Sequence, residues 1–196
     1  MGLPQAQPRE KKHHRKIDCE GFLRDDGLWD IDVHLVDTRS YDCGYDELHR
    51  GGLIRAGEAV HDMWLRFTID LDFLIHDVHA ASEQTPFAIC PRAADAMREL
   101  IGLRIAPGWR RQVRERIASN HSCTHLMDLL GQLTATAYQT LHAALEEREA
   151  AKEAVGQARA KPPIIDTCLA LSSSGEVVRK RWPAFYQQPA IEETET

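Results

Sequence analysis

Between residues 29 and 35 the chain alternates strictly: Trp29, Ile31, Val33 and Leu35 are interleaved with Asp30, Asp32 and His34. A period of two gives a strand with one buried face and one polar face. Asp25-Asp26-Gly27 stands just before it, and an Asp-Gly pair is a hairpin signal. Ile17 to Arg24 is therefore expected to pair with Leu28 to Asp37. Ala59 to Ile69 and Phe73 to Ala81 read as a second hairpin. Tyr41 to Ala56, with Gly44, Gly51 and Gly52, reads as a loop.

The pattern then becomes helical. Cys90-Pro91 opens a short helix through Ile101, with proline in the first turn. Pro107-Gly108 opens another, with Trp109, Val113 and Ile117 at helical spacing. A third runs from about Ser122 towards Ala160. Its apolar stripe is Leu126, Leu130, Leu133, Ala137, Leu141 and Leu145, and Pro162-Pro163 is its expected end. Ile164 to Leu171 and Glu176 to Trp182 flank Ser173-Ser174-Gly175 as a third hairpin. The expected fold is α+β: an antiparallel sheet of hairpins with three helices packed on one face, one of them long. Residues 1–15 read as a disordered basic tail, 16–186 as a single domain and 187–196 as a frayed end.

Of the 196 residues, 43% are hydrophobic, which suffices for a real core. The net charge of −6 argues against general nucleic-acid binding. No apolar run approaches a membrane span, and the basic N-terminus lacks the apolar segment of a secretory signal. Five cysteines, an odd number with no Cys-x-x-Cys pair, suggest free thiols in a reducing cytoplasm.

Two runs carry the chemistry. His61 shares a face with Met63, Leu65, Phe67 and Ile69, so its imidazole borders an apolar surface, where it can serve as a general base. The alternative is a hydrogen-bonded core histidine. Asp62, on the other face, is a candidate substrate contact; the alternative is a turn cap or a partner for Arg66. Cys123, Thr124 and His125 fall in the first turn of the long helix, after a cap at Asn120 or Ser122. Helix N-termini hold anions and activate thiols, so Cys123 and His125 are candidate catalytic groups and Thr124 a binding group. The alternative is a small buried cysteine beside a solvated histidine. His61, His76, His79, Cys123 and His125 lack the spacing of a zinc motif, so neither a metal nor another cofactor is expected.

Arg24-Asp25-Asp26-Gly27-Leu28-Trp29-Asp30, Ala56 to Met63, Pro86 to Cys90, Gly108-Trp109 and Cys123-Thr124-His125-Leu126 together resemble the bacterial domain-of-unknown-function family 2889. Pro163 to Cys168, with Gly175-Glu176-Val177-Val178, resembles that family's C-terminal hairpin, so the resemblance runs from about Lys16 to Trp182. Two positions depart from the pattern: Ser122 stands where the family has Gly, and Leu169 where it often has His. The resemblance implies breakdown of aromatic compounds and a cofactor-free lyase acting on a phenolic, lignin-like substrate. Loss of formaldehyde from a hydroxymethyl group is one such reaction. His61 would be the base, with Arg24, Cys123 and His125 binding substrate or moving protons. A ligand-binding module without turnover and a metal-dependent hydrolase are the rival readings. The long apolar stripe, continuing through Leu141 and Leu145, suggests a homodimer.

Overall fold

A computed structural model describes residues 2–189. Six strands come first: β1 (His13–Leu23), β2 (Trp29–Arg39), β3 (Cys43–Gly44), β4 (Leu53–Ile54), β5 (Ala59–Ile69) and β6 (Ile75–Gln84). The long strands form one antiparallel sheet in the order β1-β2-β5-β6, and β3 and β4 form a separate two-stranded ribbon. Both expected hairpins are present. β1, however, starts at His13, inside the stretch read as a tail, and pairs along its whole length with β2.

Alternation sets which side chains are buried. Ile31, Val33, Leu35, Met63, Leu65, Phe67 and Ile69 project to one face of β2 and β5 and are essentially inaccessible. That face is covered by helical segments: α1 (Arg92–Asp95) with the 3-10 turn Ala96–Leu100, then α2 (Trp109–Arg116), then α3 (Thr124–Ala154). They contribute Met97, Leu100, Trp109, Val113, Leu126, Leu129, Leu133, Ala137 and Leu141 to the same core. Each large apolar side chain buried there stabilises the fold by roughly 1.5–3 kcal/mol. The first helix, expected through Ile101, is thus one short α turn continued as a 3-10 turn.

Gly21 lets α3 approach β1. A Cβ at that position would collide with the Thr140 side chain. Leu141 is fully buried within the single chain and Leu145 is half-buried. The uncovered stripe that suggested a homodimer is therefore already shielded at Leu141.

The chain divides into two compact units, Met1–Leu145 and Glu146–Thr196, where the sequence reading drew one domain over 16–186. In the second unit α3 ends at Ala154 rather than at the proline pair. Gly156 adopts φ +79°, its N–H bonds the Glu153 carbonyl, and the Gln157 N–H bonds the Lys152 carbonyl. This is a glycine-closed helix end, which needs the left-handed residue that glycine supplies. Arg159 pairs with Glu146. Ile165, Val178 and Trp182 make a small core. The third hairpin is absent from the described residues: Leu169–Leu171 is a 3-10 turn and Glu176–Arg181 is a helix, α4. Glu176 pairs with Lys180 on its face at helical spacing, which favours the helix locally. The expected frayed end, 187–196, lies mostly outside the described residues; Gln187 is bonded to Ser173.

Candidate functional site

The site begins with a carboxylate on an apolar face. Asp37 follows Ile31, Val33 and Leu35 in the same alternation, so its side chain enters the covered side of the sheet, where it is 3% exposed. A buried charge needs a partner. Arg15, on the neighbouring strand β1, donates from Nε and Nη2 to the two carboxylate oxygens at 2.8 and 2.7 Å. His13 Nε2 donates to Oδ1 at 3.0 Å. Burial by itself would raise the Asp37 carboxyl; the Arg15 bonds and charge, with His13, outweigh it and hold the pKa at about 2.

His61 lies across from Asp37 on β5, with Nδ1 3.2 Å from Oδ2. An ionised carboxylate only accepts, so Nδ1 carries the hydrogen and Nε2 is left as the basic nitrogen. The strand is irregular on both sides here. Pairing jumps from Asp37↔His61 to Thr38↔Ala59, leaving Val60 unmatched, and from Asp62↔Gln84 to Met63↔Ser82 on the β6 side. Such bulges re-aim side chains at the rims of sheets. Burial, and then the neighbouring His125, push the His61 pKa down to about 4, more than Asp37 raises it. His61 is therefore neutral near pH 7.

His125 comes from the first turn of α3. Its ring lies 3.8 Å from that of His61, and its Nε2 is 3.8 Å from Asp37 Oδ2. Burial, and then the positive charge of Arg15, lower its pKa too. Cys123 Sγ is 3.8 Å from His125 Nδ1, at the outer limit for a sulfur contact. The Cys123 carbonyl accepts the Met127 N–H, so Cys123 itself stands at the N-cap position expected for Asn120 or Ser122.

Two cavities meet at this pair of imidazoles. The larger, about 670 Å³, is lined by Met63, Pro86, Phe87, Ile89 and Ala96, with Cys90, Cys123 and Thr124 at its polar side. The smaller, about 310 Å³, is lined by His13, Arg15, Asp37, Arg39 and Tyr41. His61 and His125 line both. A volume of several hundred Å³ with an apolar wall and a few convergent polar groups suits a small organic ligand.

The structure brings together His61, Cys123, Thr124 and His125. It does not bring Arg24 or Asp62. Arg24 sits in the β1–β2 turn, paired with Asp26 and Asp30, at the far end of β2 from Asp37. That separation is on the order of 25 Å at about 3.3 Å per residue. Asp62 points to the opposite sheet face and accepts from His34 Nε2 at 2.7 Å, while Arg66, its expected partner, pairs with Asp32. Asp37, Arg15 and Arg39 were not singled out from the sequence. Asp37 carried a legible signal, a carboxylate in register with three apolar residues. Arg15 and Arg39 carried none.

One oxygen of Asp37 and one nitrogen each of His61 and His125 lie within 4.8 Å of one another, a two-histidine, one-carboxylate set of the kind that holds a divalent metal. Asp37 is the weak member of that set, because Arg15 and His13 already occupy its lone pairs.

Among the described residues no helix is long and apolar enough to cross a membrane. A family model described as a protein of unknown function (DUF2889) matches residues 13–139. That span is more than half of the chain, so the chain belongs to this family. The match stops short of the residues that resembled a family C-terminal hairpin. No curated protein and no solved structure matches the chain.

Proposed function

We propose that this member of the DUF2889 family is a small-molecule lyase that acts on a phenolic aromatic compound by acid–base chemistry. The observation that carries the reading is a neutral imidazole, His61, oriented by a buried carboxylate at the mouth of a cavity with an apolar wall. A general base works best when it is unprotonated at the operating pH and aimed by a fixed acceptor.

For loss of formaldehyde from a hydroxymethyl group, His61 Nε2 takes the hydroxyl proton. The carbon–carbon bond breaks, formaldehyde leaves, and the electron pair stays on the carbon beside the ring, where the aromatic system spreads it. The proton then returns from the imidazolium to that carbon. Asp37 stabilises the transient imidazolium, and His125, its ring tilted against that of His61 at 3.8 Å, is the second proton carrier in this scheme. Cys123 and Thr124 line the cavity as binding groups. Five free cysteines fit a reducing cytoplasm.

The test is turnover of a panel of hydroxymethyl-bearing phenolics, followed by formaldehyde release. Formation of one equivalent per substrate consumed, abolished in His61→Ala, is the expected result. Binding without turnover across the panel would leave a ligand-binding module instead.

A second reading, a metal-dependent hydrolase, is favoured by the Asp37, His61 and His125 donor set. The Arg15 charge against Asp37 weighs against it, since a dication there would be repelled. Metal analysis of the purified protein separates the two. Stoichiometric zinc or iron lost on His125→Ala would favour the hydrolase.

A further inference from the structure

The smaller cavity holds a cation that the proposed chemistry does not use. Arg39 lines it, two residues beyond Asp37 on β2. None of the described residues pairs its charge with a carboxylate: its Nη1 donates to Cys43 Sγ at 3.2 Å, and its other close neighbours are tyrosines. Arg15, the other guanidinium in this cavity, is committed to Asp37 by two bonds. Counting Asp37, Arg15 and Arg39, the cavity carries one net positive charge, and that charge is at Arg39.

The guanidinium is also held in place. Its carbon sits 5.8 Å from the Tyr41 ring centroid and 5.7 Å from that of Tyr45. Contact with aromatic rings fixes a guanidinium by cation–π attraction without consuming its N–H donors, of which a guanidinium has five. Tyr45 in turn packs edge-on against Phe87, 5.9 Å between centroids, and Phe87 lines the larger cavity. The cation and the apolar cavity are thus braced by the same aromatic residues, with His61 and His125 lining both spaces.

We propose that Arg39 is a carboxylate-binding subsite, and that the ligand of this protein is an aromatic carboxylate: its ring occupies the larger cavity and its carboxylate meets Arg39 in the smaller one. The inference rests on the proposed reading for the position of the reacting carbon, at His61 where the cavities meet. The carboxylate preference itself is a binding property and is measurable without turnover. A carboxylate matches the single net positive charge and sets two coplanar oxygens against the planar, two-pronged donor.

The experiment is calorimetric titration of the full chain with para-hydroxybenzoate, para-hydroxyphenylacetate and para-hydroxyphenylpropanoate, each against its neutral primary amide. At least one acid should bind about tenfold or more tightly than its amide, the size expected of a charge-assisted, two-pronged contact. Arg39→Gln should bring that ratio close to one, and Arg39→Lys should restore part of it. Acetate alone should bind far more weakly than the aromatic acids. Equal affinity of acid and amide throughout the series, no binding of any acid, or a preference that survives in Arg39→Gln overturns the subsite. Formaldehyde release from neutral phenolics without an acid preference would keep the lyase and overturn the subsite. An acid preference lost in Arg39→Gln without any turnover would keep the subsite and overturn the lyase.

Discussion

Two histidine–aspartate pairs occupy opposite faces of the same two strands, and they differ in what surrounds them. On the polar face His34 of β2 meets Asp62 of β5 at 2.7 Å; on the covered face His61 of β5 meets Asp37 of β2 at 3.2 Å. Judged by hydrogen-bond length alone, the polar-face pair is the better one. Yet its side chains are 21% and 28% exposed, and His34 lies flat against Trp64 with ring centroids 3.7 Å apart. The covered pair is 16% and 5% exposed, is backed by Arg15, and opens on two cavities. The polar-face pair also borders a cavity, about 350 Å³, but its lining is Trp64 with the acidic Asp18, Glu20 and Asp32. Under the proposed function, burial and the lining of the cavity, rather than the pair itself, select the working histidine. Desolvation keeps His61 neutral, and in the proposed function the two cavities beside it admit the reactant.

The largest effect should separate the two histidines. His61→Ala is expected to lower kcat/KM for formaldehyde release by on the order of 10²–10⁴-fold, the usual value of a positioned general base. His34→Ala should stay within about twofold. Steady-state kinetics on both variants decide, and comparable losses in the two would mean that burial does not select the working pair.

The aspartates should separate next, in stability. Asp37→Asn leaves Arg15 without its buried partner and is expected to cost about 1–3 kcal/mol. Asp62→Asn breaks a more exposed pair and should cost less than about 1 kcal/mol. Urea unfolding at pH 7 measures both. A smaller loss for Asp37→Asn than for Asp62→Asn contradicts the difference in environment.

The pH dependence follows from the same burial. The folded His61 pKa, about 4, is below its ordinary 6.5. As pH falls the unfolded chain takes up this proton first, so stability declines between about pH 6.5 and 4, by on the order of 2 kcal/mol. His125, shifted in the same direction, adds to that decline. Asp37 acts at lower pH: its contribution is complete above 3.8 and is lost as pH falls towards about 2. Unfolding midpoints measured from pH 8 to 3 should show a first decline that is shallower in His61→Asn and retained in His34→Asn. The acid limb of kcat/KM for free enzyme should likewise fall near pH 4. An acid limb near 6.5 would show that His61 is not shielded from water.

Cys123→Ser should have the smallest effect, less than about tenfold on kcat/KM, because its sulfur only borders His125 at 3.8 Å. Complete inactivation, or a covalent adduct on Cys123 seen by mass spectrometry of the substrate-treated protein, would make it a nucleophile and shift the chemistry away from His61.

Much of this arrangement was legible in the residues. The alternation of 29–35 and 59–69 placed His61 on the covered face and Asp62 on the other, and the helical spacing placed Cys123 to His125 at the start of the long helix. The misreadings have particular causes. Residues 164–182 combine a turn signal with short apolar runs, and such runs do not distinguish strand from helix until their packing is known. Arg15 looked like part of a basic tail because its β1 neighbours are mostly exposed, and only pairing with β2 makes it structural.

What the sequence determined by itself is local: periods, hairpin turns, and the face on which each side chain of a strand falls. Those depend on the backbone geometry of a few adjacent residues. The tertiary structure alone decided that Asp37, His61 and His125 converge, that Arg15 neutralises the carboxylate, and that Arg39 has no acidic partner among the described residues. These depend on strand register and on where a helix begins against a sheet. Both are set by the packing of segments tens of residues apart, and no local pattern encodes which distant charge will meet which.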